Sequence, residues 1–296
     1  MDVRLSMDTP ADSVEVVLRD VKSVSKVKID DPVTISLGFG SKQTQVFSGI
    51  VDAIQASISS LRLLGLSQMV KLMKLRLNQT YLKQNAGDIV KDVCNKTGVS
   101  AGDIQDGVAL PSFYISHDVP TYDCVRALAE RSGYDVYLTP KNKLNFKEYN
   151  PTTIHNLAYG KDVLHVEAAH LSPAKGAKVF GESPSSMKGS DTAHWLTKDE
   201  VEGSAGSGPG LLLSDPAIRD KATADAVARS RLAQARQTLC ASIVSYGKPE
   251  VKLGDSVNLD GFSNKLLKGG FKVRTVEHSF DKTSGFKTRI VCSKGT

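Results

Sequence analysis

Ser112–Phe146, SFYISHDVPTYDCVRALAERSGYDVYLTPKNKLNF, carries a strand, a helix and a hairpin in one unbroken run. Ser112–Ser116 alternates around Phe113 and Ile115, the period of a strand with one buried face. Pro120 suits a first helical turn, where its missing N–H costs nothing. From there Tyr122, Val125, Leu128 and Ala129 recur at helical spacing, while Asp123, Arg126, Glu130 and Arg131 take the opposite face. Gly133 supplies a left-handed stop. Tyr134–Leu138 and Leu144–Tyr149 read as strands around the polar turn Pro140-Lys141-Asn142-Lys143. The run packs, and it holds no chemistry of its own.

Toward the N-terminus, Ala86, Ile89, Val90, Val93 and Cys94 form one face of a helix over Ala86–Thr97, ended by Gly98. Gln68–Tyr81 fits a short core-facing helix running into a strand better than a membrane-surface helix. Before it, Val14–Leu18, Val33–Phe39, Val46–Ala53 and Ile58–Leu66 have the lengths and spacing of a small antiparallel barrel or sandwich.

Toward the C-terminus, Val163–Ala169 and Ala177–Phe180 give strand signals. The stretch 181–210 is rich in Gly, Ser and charge, which predicts a flexible loop; Trp195, the single tryptophan, would anchor it to a partner or to the body. Ser214 and Asp215 offer caps for a helix beginning at Pro216 and running to about Cys240. Its apolar face is alanine-rich, and Arg229, Arg231 and Arg236 in its second half complement the helix dipole. The last quarter returns to β. There Asp255, Val257, Leu259, Gly261 and Phe262, then Phe271, Val273 and Val276, repeat the pattern of Asp31, Val33, Ile35, Gly38 and Phe39, then Phe47 and Val51. The repeat implies two copies of one β unit flanking a central insertion.

A length of 296 residues points to two or three domains. Hydrophobic content of 40% with 24% charged residues is that of a soluble globular chain, and no apolar run approaches a membrane span. Asp2 and Arg4 precede no continuous apolar stretch, so cytoplasmic synthesis is expected. Cys94, Cys124, Cys240 and Cys292 are far apart, and we read them as reduced, mostly buried small hydrophobes.

The chain resembles the phage tail hub family, the late control protein D group, which includes the hub portion of type VI spike proteins. The residues behind this are Asp8-Thr9-Pro10-Ala11-Asp12-Ser13 entering a strand, Val46–Val51, Asn78–Val90, Tyr122–Glu130 leading into Gly133-Tyr134, Lys143–Phe146, and Val273–Phe286. The resemblance implies an α+β, mainly β fold: two small tube-type antiparallel β-barrels with an inserted α+β module and a long Ala-rich helix. Residues 1–82 would hold part of the first barrel, 83–150 the module, and 151–296 the second barrel with the loop 181–210 and the helix at about 215–240. It further implies a structural trimer joining a sixfold tail tube to a threefold spike. The partners would be other copies of the chain, the tail tube protein, other baseplate proteins and, in the lumen, a tape-measure protein. Such a hub assembles in the host cytoplasm and ends in a virion tail, baseplate or injection particle. Relatives carry more leading β structure than precedes Asp8, so the first barrel is expected to lack a strand or borrow one. The chain ends directly after the second β pattern, so the spike is expected to be a separate protein.

Chemistry is sparse. His117, His155, His165, His170, His194 and His278 have no metal-ligand spacing, and His165 and His170 fall on opposite faces of a strand. No carboxylate pair, phosphate loop or nucleophile elbow stands out, so neither catalytic residues nor a cofactor is expected. The whole formal charge of +6 resides between Lys265 and Lys294, where eight basic residues face two acids. If Phe271–His278 and Phe286–Cys292 pair, Phe271, Val273, Phe286 and Ile290 share one face and Lys272, Arg274, Lys287 and Arg289 the other. That basic face reads as a solvated surface, as a contact for an acidic partner in the tube or spike, or as a nucleic-acid surface lacking stacking aromatics. A nucleic-acid-binding β protein is therefore the alternative function. A tail-associated cell-wall hydrolase is a third, without a plausible catalytic pair.

Overall fold

Alternation of apolar and polar residues decides most of this architecture. In the computed structural model, which describes residues 1–19, 26–184 and 198–294, strand β1 (Asp2–Ser6) buries Val3 and Leu5 and exposes Asp2 and Arg4. It is followed by β2 (Ser13–Leu18), β3 (Pro32–Phe39), β4 (Lys42–Ala56) and β5 (Leu61–Leu66). These lie side by side in the order β1-β2-β5-β4-β3, antiparallel throughout. Where β4 meets β5 the register shifts between Val51 and Ala53, so Asp52 forms a bulge and the long strand bends there.

A separate core follows. It is built from α1 (Val70–Lys74), β6 (Gln79–Asn85), α2 (Ala86–Thr97), β7 (Ser100–Ile104), β8 (Ala109–Ile115), α3 (Thr121–Ser132), β9 (Asp135–Leu138) and β10 (Lys143–Lys147). Both main helices end as their sequences require: Gly98 sits at φ 67° and Gly133 at φ 73°, where any side chain is strained. Pro120 is the N-cap residue of α3 rather than a residue of its first turn. Asn142, at φ 57°, makes the β9–β10 turn, a left-handed position that Asn tolerates. The faces Ile89/Val90/Val93/Cys94 and Tyr122/Val125/Leu128/Ala129 meet between a β6–β8 pair and a β7-β10-β9 sheet. This core begins at Met69 and Leu72, well before the boundary expected at residue 83.

The third stretch comprises β11 (Ile154–Ala158), β12 (Val163–His170), β13 (Gly176–Pro184), β14 (Lys198–Gly206), β15 (Gly210–Asp215), α4 (Lys221–Ala235), β16 (Leu239–Tyr246), β17 (Ser256–Asp260), β18 (Gly269–Asp281) and β19 (Gly285–Ser293). Two expectations fail here. Residues 181–184 and 198–206, expected in a flexible loop, are strand, paired from Gly176↔Gly206 to Pro184↔Lys198, with β15 parallel on the other side. Their Gly and Ser content serves close packing: a Cβ on Gly203 would lie 2.1 Å from the Ala224 carbonyl carbon of α4. The Ala-rich helix is also shorter than 215–240. Asp220 caps it, its carboxylate accepting from Thr223 N–H at 2.8 Å, while Asp215 ends β15, accepting from Ala217 N–H at 3.0 Å and pairing with Arg131 at 2.6 and 2.9 Å.

The repeat seen in the sequence is real at the level of topology. Strands β12-β16-β19-β18-β17 follow one another as β1-β2-β5-β4-β3 do, again antiparallel throughout. The bulge recurs too, with the register shift between Val273 and Thr275 making Arg274 the counterpart of Asp52. Even a side-chain contact repeats: Arg62 reaches Glu15 at 2.6 Å, and the equivalent Arg289 reaches the equivalent Ser242 at 3.0 Å. By this register Val33 matches Val257 and Val51 matches Val273, as read from the sequence, but Phe271 matches Gly49 and not Phe47. The two units are joined by β1 and β18, giving one eleven-stranded sheet whose hydrogen-bonded path stays open among the described residues. Their buried side chains, Val3, Leu5, Val46 and Phe47 with Ile243, Phe271, Val276 and Ile290, belong to one continuous core.

Candidate interaction surfaces

Strand β18 passes beneath the inserted module, and that placement sets the fate of the basic ribbon. Its inner face buries Phe271 and Val273. Its outer face is covered by β9 and by Tyr149, so Lys272 is only 4% exposed. Lys272 Nζ lies 2.6 Å from Asp135 Oδ1 and 5.0 Å from the centre of the Tyr149 ring. Burial holds its pKa below the usual lysine value, against the pull of the Asp135 charge. The neighbouring bulge residue Arg274 pairs closely with Asp8 and has its other guanidinium nitrogen 4.0 Å from Asp135.

Lys272 thus holds the module to the sheet through Asp135, while Arg274 ties β18 to Asp8 in the β1–β2 turn. Arg289 is exposed, with Glu277 at 3.5 Å, and Glu277 also meets Arg4 at 3.3 Å. Lys287 is half-buried beside Phe286. The four residues expected on one free basic face are therefore divided between an internal joint and a partly neutralised surface. Sequence spacing placed the strands but neither the module above them nor the β1–β2 turn beside β18, so it missed Asp135 and Asp8 as partners. Trp195 lies outside the described residues.

A different surface gathers at one end of the sheets. Phe39, Tyr246 and Phe280 are each about half exposed or more. The Phe39 ring is 5.7 Å from Phe286, Phe286 pairs across the hairpin with Phe280, and Tyr246 pairs with Lys287. Exposed apolar clusters of this kind mark contact sites. Only the turn signals near Gly40 and Gly285 could have pointed to it from sequence.

The titratable groups are dispersed. His155 meets Asp255 at 2.9 Å, His165 meets Glu167 at 3.1 Å, and His278 is buried against Thr288 at 3.0 Å. Among the described residues no group of three or more His, Cys, Asp or Glu is placed to hold a metal. His194 lies outside them. Burial pushes the Cys94 thiol up to about 11 and Cys292 up to about 12, which disfavours the thiolate at either. Among the described residues no helix is long and apolar enough to cross a membrane.

The fold is that of phage tail proteins and related secretion components. The 43 kDa tail protein of prophage MuSo2 from Shewanella oneidensis superposes with a TM-score of 0.67 at 12% identity, over 98% of this chain and 92% of that one. A tail protein from Neisseria meningitidis gives 0.71 at 12% identity, over 99% and 90%. The E. coli c3393 protein, a component of the type VI secretion system, gives 0.66 at 12% identity, over 100% and 73%. These are the groups to which the sequence resemblance pointed. Residues 30–183 match the family described as the Alg8 N-terminal domain, and the chain belongs to that family. No curated protein matches the sequence.

Proposed function

We propose that the chain is a non-enzymatic hub of a contractile tail or injection particle, working as a trimer that adapts a sixfold tube to a threefold spike. The observation that carries this reading is the duplicated five-stranded unit, with the same strand order and the same bulge in both copies. In this reading each five-stranded unit, open along its hydrogen-bonded path, stands as one tube-type unit of the hub. Three chains then present six similar units in a ring, which one chain can do only by offering one kind of surface twice. The module stands outside that ring and braces it through Lys272–Asp135, and the β13–β15 sheet beneath α4 is tied to the module through Arg131–Asp215.

Mass measurement in solution and imaging of purified particles test the proposal. The expected result is a trimer found at the junction of tube and spike. A strict monomer absent from tails overturns it. Nucleic-acid binding finds less support, because Lys272 and Arg274 are engaged within the chain.

A further inference from the structure

Within one chain the two β units are joined by a single strand pair, β1 with β18, in the register Val3↔His278, Arg4↔Glu277 and Leu5↔Val276. By the repeat, β1 corresponds to β12 and β18 to β4. Both corresponding edges are open. Among the described residues β12 pairs only with β16 apart from a bridge between its first residue, Val163, and Tyr159, and residues 53–56 of β4 pair only with β5. The turn at Lys265–Leu267 lies beside β12 without pairing to it. Burial records the difference: Val3 and Leu5 are buried under the joint, whereas Ala168 is half-buried and His170 exposed.

The backbone polarity of the two open edges is complementary. Leu171 N–H donates to the Thr238 carbonyl at 3.0 Å, so alternation turns the polar groups of Ala168 and His170 away from β16. Ser57 N–H donates to the Ser60 carbonyl at 2.8 Å, so those of Ile54 and Ala56 turn away from β5. Carrying the β1–β18 register through the repeat sets Ala168 opposite Ala56, Ala169 opposite Gln55 and His170 opposite Ile54. In the β1–β18 joint, Met7 N–H donates to Arg274 and Phe280 N–H to Met1, which makes Val3/His278 and Leu5/Val276 its hydrogen-bonded pairs. Those are the positions that Ala168/Ala56 and His170/Ile54 inherit. A slip of one residue would face the wrong groups across the gap. No like charges oppose each other in this register.

We infer that β12 of one copy pairs antiparallel with residues 53–57 of a second copy, reproducing between chains the joint that β1 and β18 make within one. The occupant is a second copy because β12 ends the sheet path on one side, while the open part of β4 lies near its other end, beyond the pairing with β3. The contact is head-to-tail, so it propagates from chain to chain until a ring closes. This rests on the trimeric hub reading and names the backbone seam by which the ring is held.

The test mixes two singly substituted chains, Ala169→Cys and Gln55→Cys, each carrying Cys240→Ser to remove the exposed native thiol. Ala169 and Gln55 form a non-hydrogen-bonded pair, whose close side chains suit a disulfide. On oxidation the mixture should give a covalent dimer that neither chain gives alone. A second variant, Ala168→Pro, removes an N–H aimed at the open edge while keeping the bonds to β16. It should lose the oligomer with circular dichroism and melting of the single chain unchanged. A trimer that forms no cross-link, or that survives Ala168→Pro, overturns the seam and leaves the hub reading standing. A single-chain mass at all concentrations overturns both.

Discussion

Lys272 is the residue on which the joint between sheet and module turns. Its ammonium is shielded from water and faced by one carboxylate, so removing that carboxylate leaves a buried charge without compensation. Asp135→Asn should lower stability by about 3–5 kcal/mol in urea denaturation, and Lys272→Met with Asp135→Leu should recover most of that loss. Two other buried groups set the pH response. Burial lowers the His278 pKa from 6.5 to about 4, so between those values the unfolded chain binds the extra proton and acid destabilises the fold. Burial raises the Asp12 pKa from 3.8 to about 7, against the hydrogen bond from Ser6 N–H; there the folded chain keeps the proton and stability falls as pH rises from about 4 to 7. The two slopes oppose each other. Asp12→Asn should therefore expose the acid sensitivity of His278, as a midpoint that drops on going from pH 6.5 to pH 4. His278→Leu should give the reverse slope, and an unchanged profile in both variants would refute these assignments.

At the scale of elements, α3 and α4 show two ways of packing. Helix α3 buries large side chains, and Leu128, fully buried in the module core, should cost about 2–5 kcal/mol when cut to Ala. Helix α4 instead approaches β14 closely along Ala224 and Ala228, with Gly203 beneath it. Gly203→Ala should separate the two and cost about 1–3 kcal/mol, read as an earlier urea midpoint. The α3 module was legible in sequence because its signals are local: a 3.6-residue apolar period, Gly98, Gly133 and the Asn142 turn. The β13–β15 sheet was not, because glycine, serine and charge along 198–206 describe a loop unless a helix lies over them. The basic ribbon was half legible for a similar reason. Alternation told which of its residues share a face, but only tertiary structure shows that β9 covers Lys272 and that Arg274 stands on a bulge.

For the whole molecule, three cores imply three different resistances to opening. The large core spans both β units, so β1, β4, β16, β18 and β19 should exchange their amide hydrogens as one cooperative unit. The small core of Val179, Val201, Ile218, Ala224, Val227 and Ala228 has the least apolar surface to hold it. Native-state hydrogen exchange should find β13, β14 and α4 opening at lower free energy than the large sheet, and equal protection throughout would contradict this division. The topological repeat carries the functional reading further than either unit alone, since matched bulges and matched edges are what a ring built from duplicated parts requires.

The β1–β18 joint also orders events in time. Ser6 Oγ and Thr275 Oγ1 meet at 2.8 Å although 269 positions separate them along the chain. On the ribosome, residues 2–6 emerge long before 275–279 exist. The first unit must therefore wait with one strand edge unpaired until synthesis reaches β18, while the module, whose contacts are local, can settle first. During that interval the nascent edge is open to pairing with other chains. Slowing translation across 269–281 should accordingly raise the aggregated fraction of newly made chains, and a chaperone that binds extended segments should reduce it.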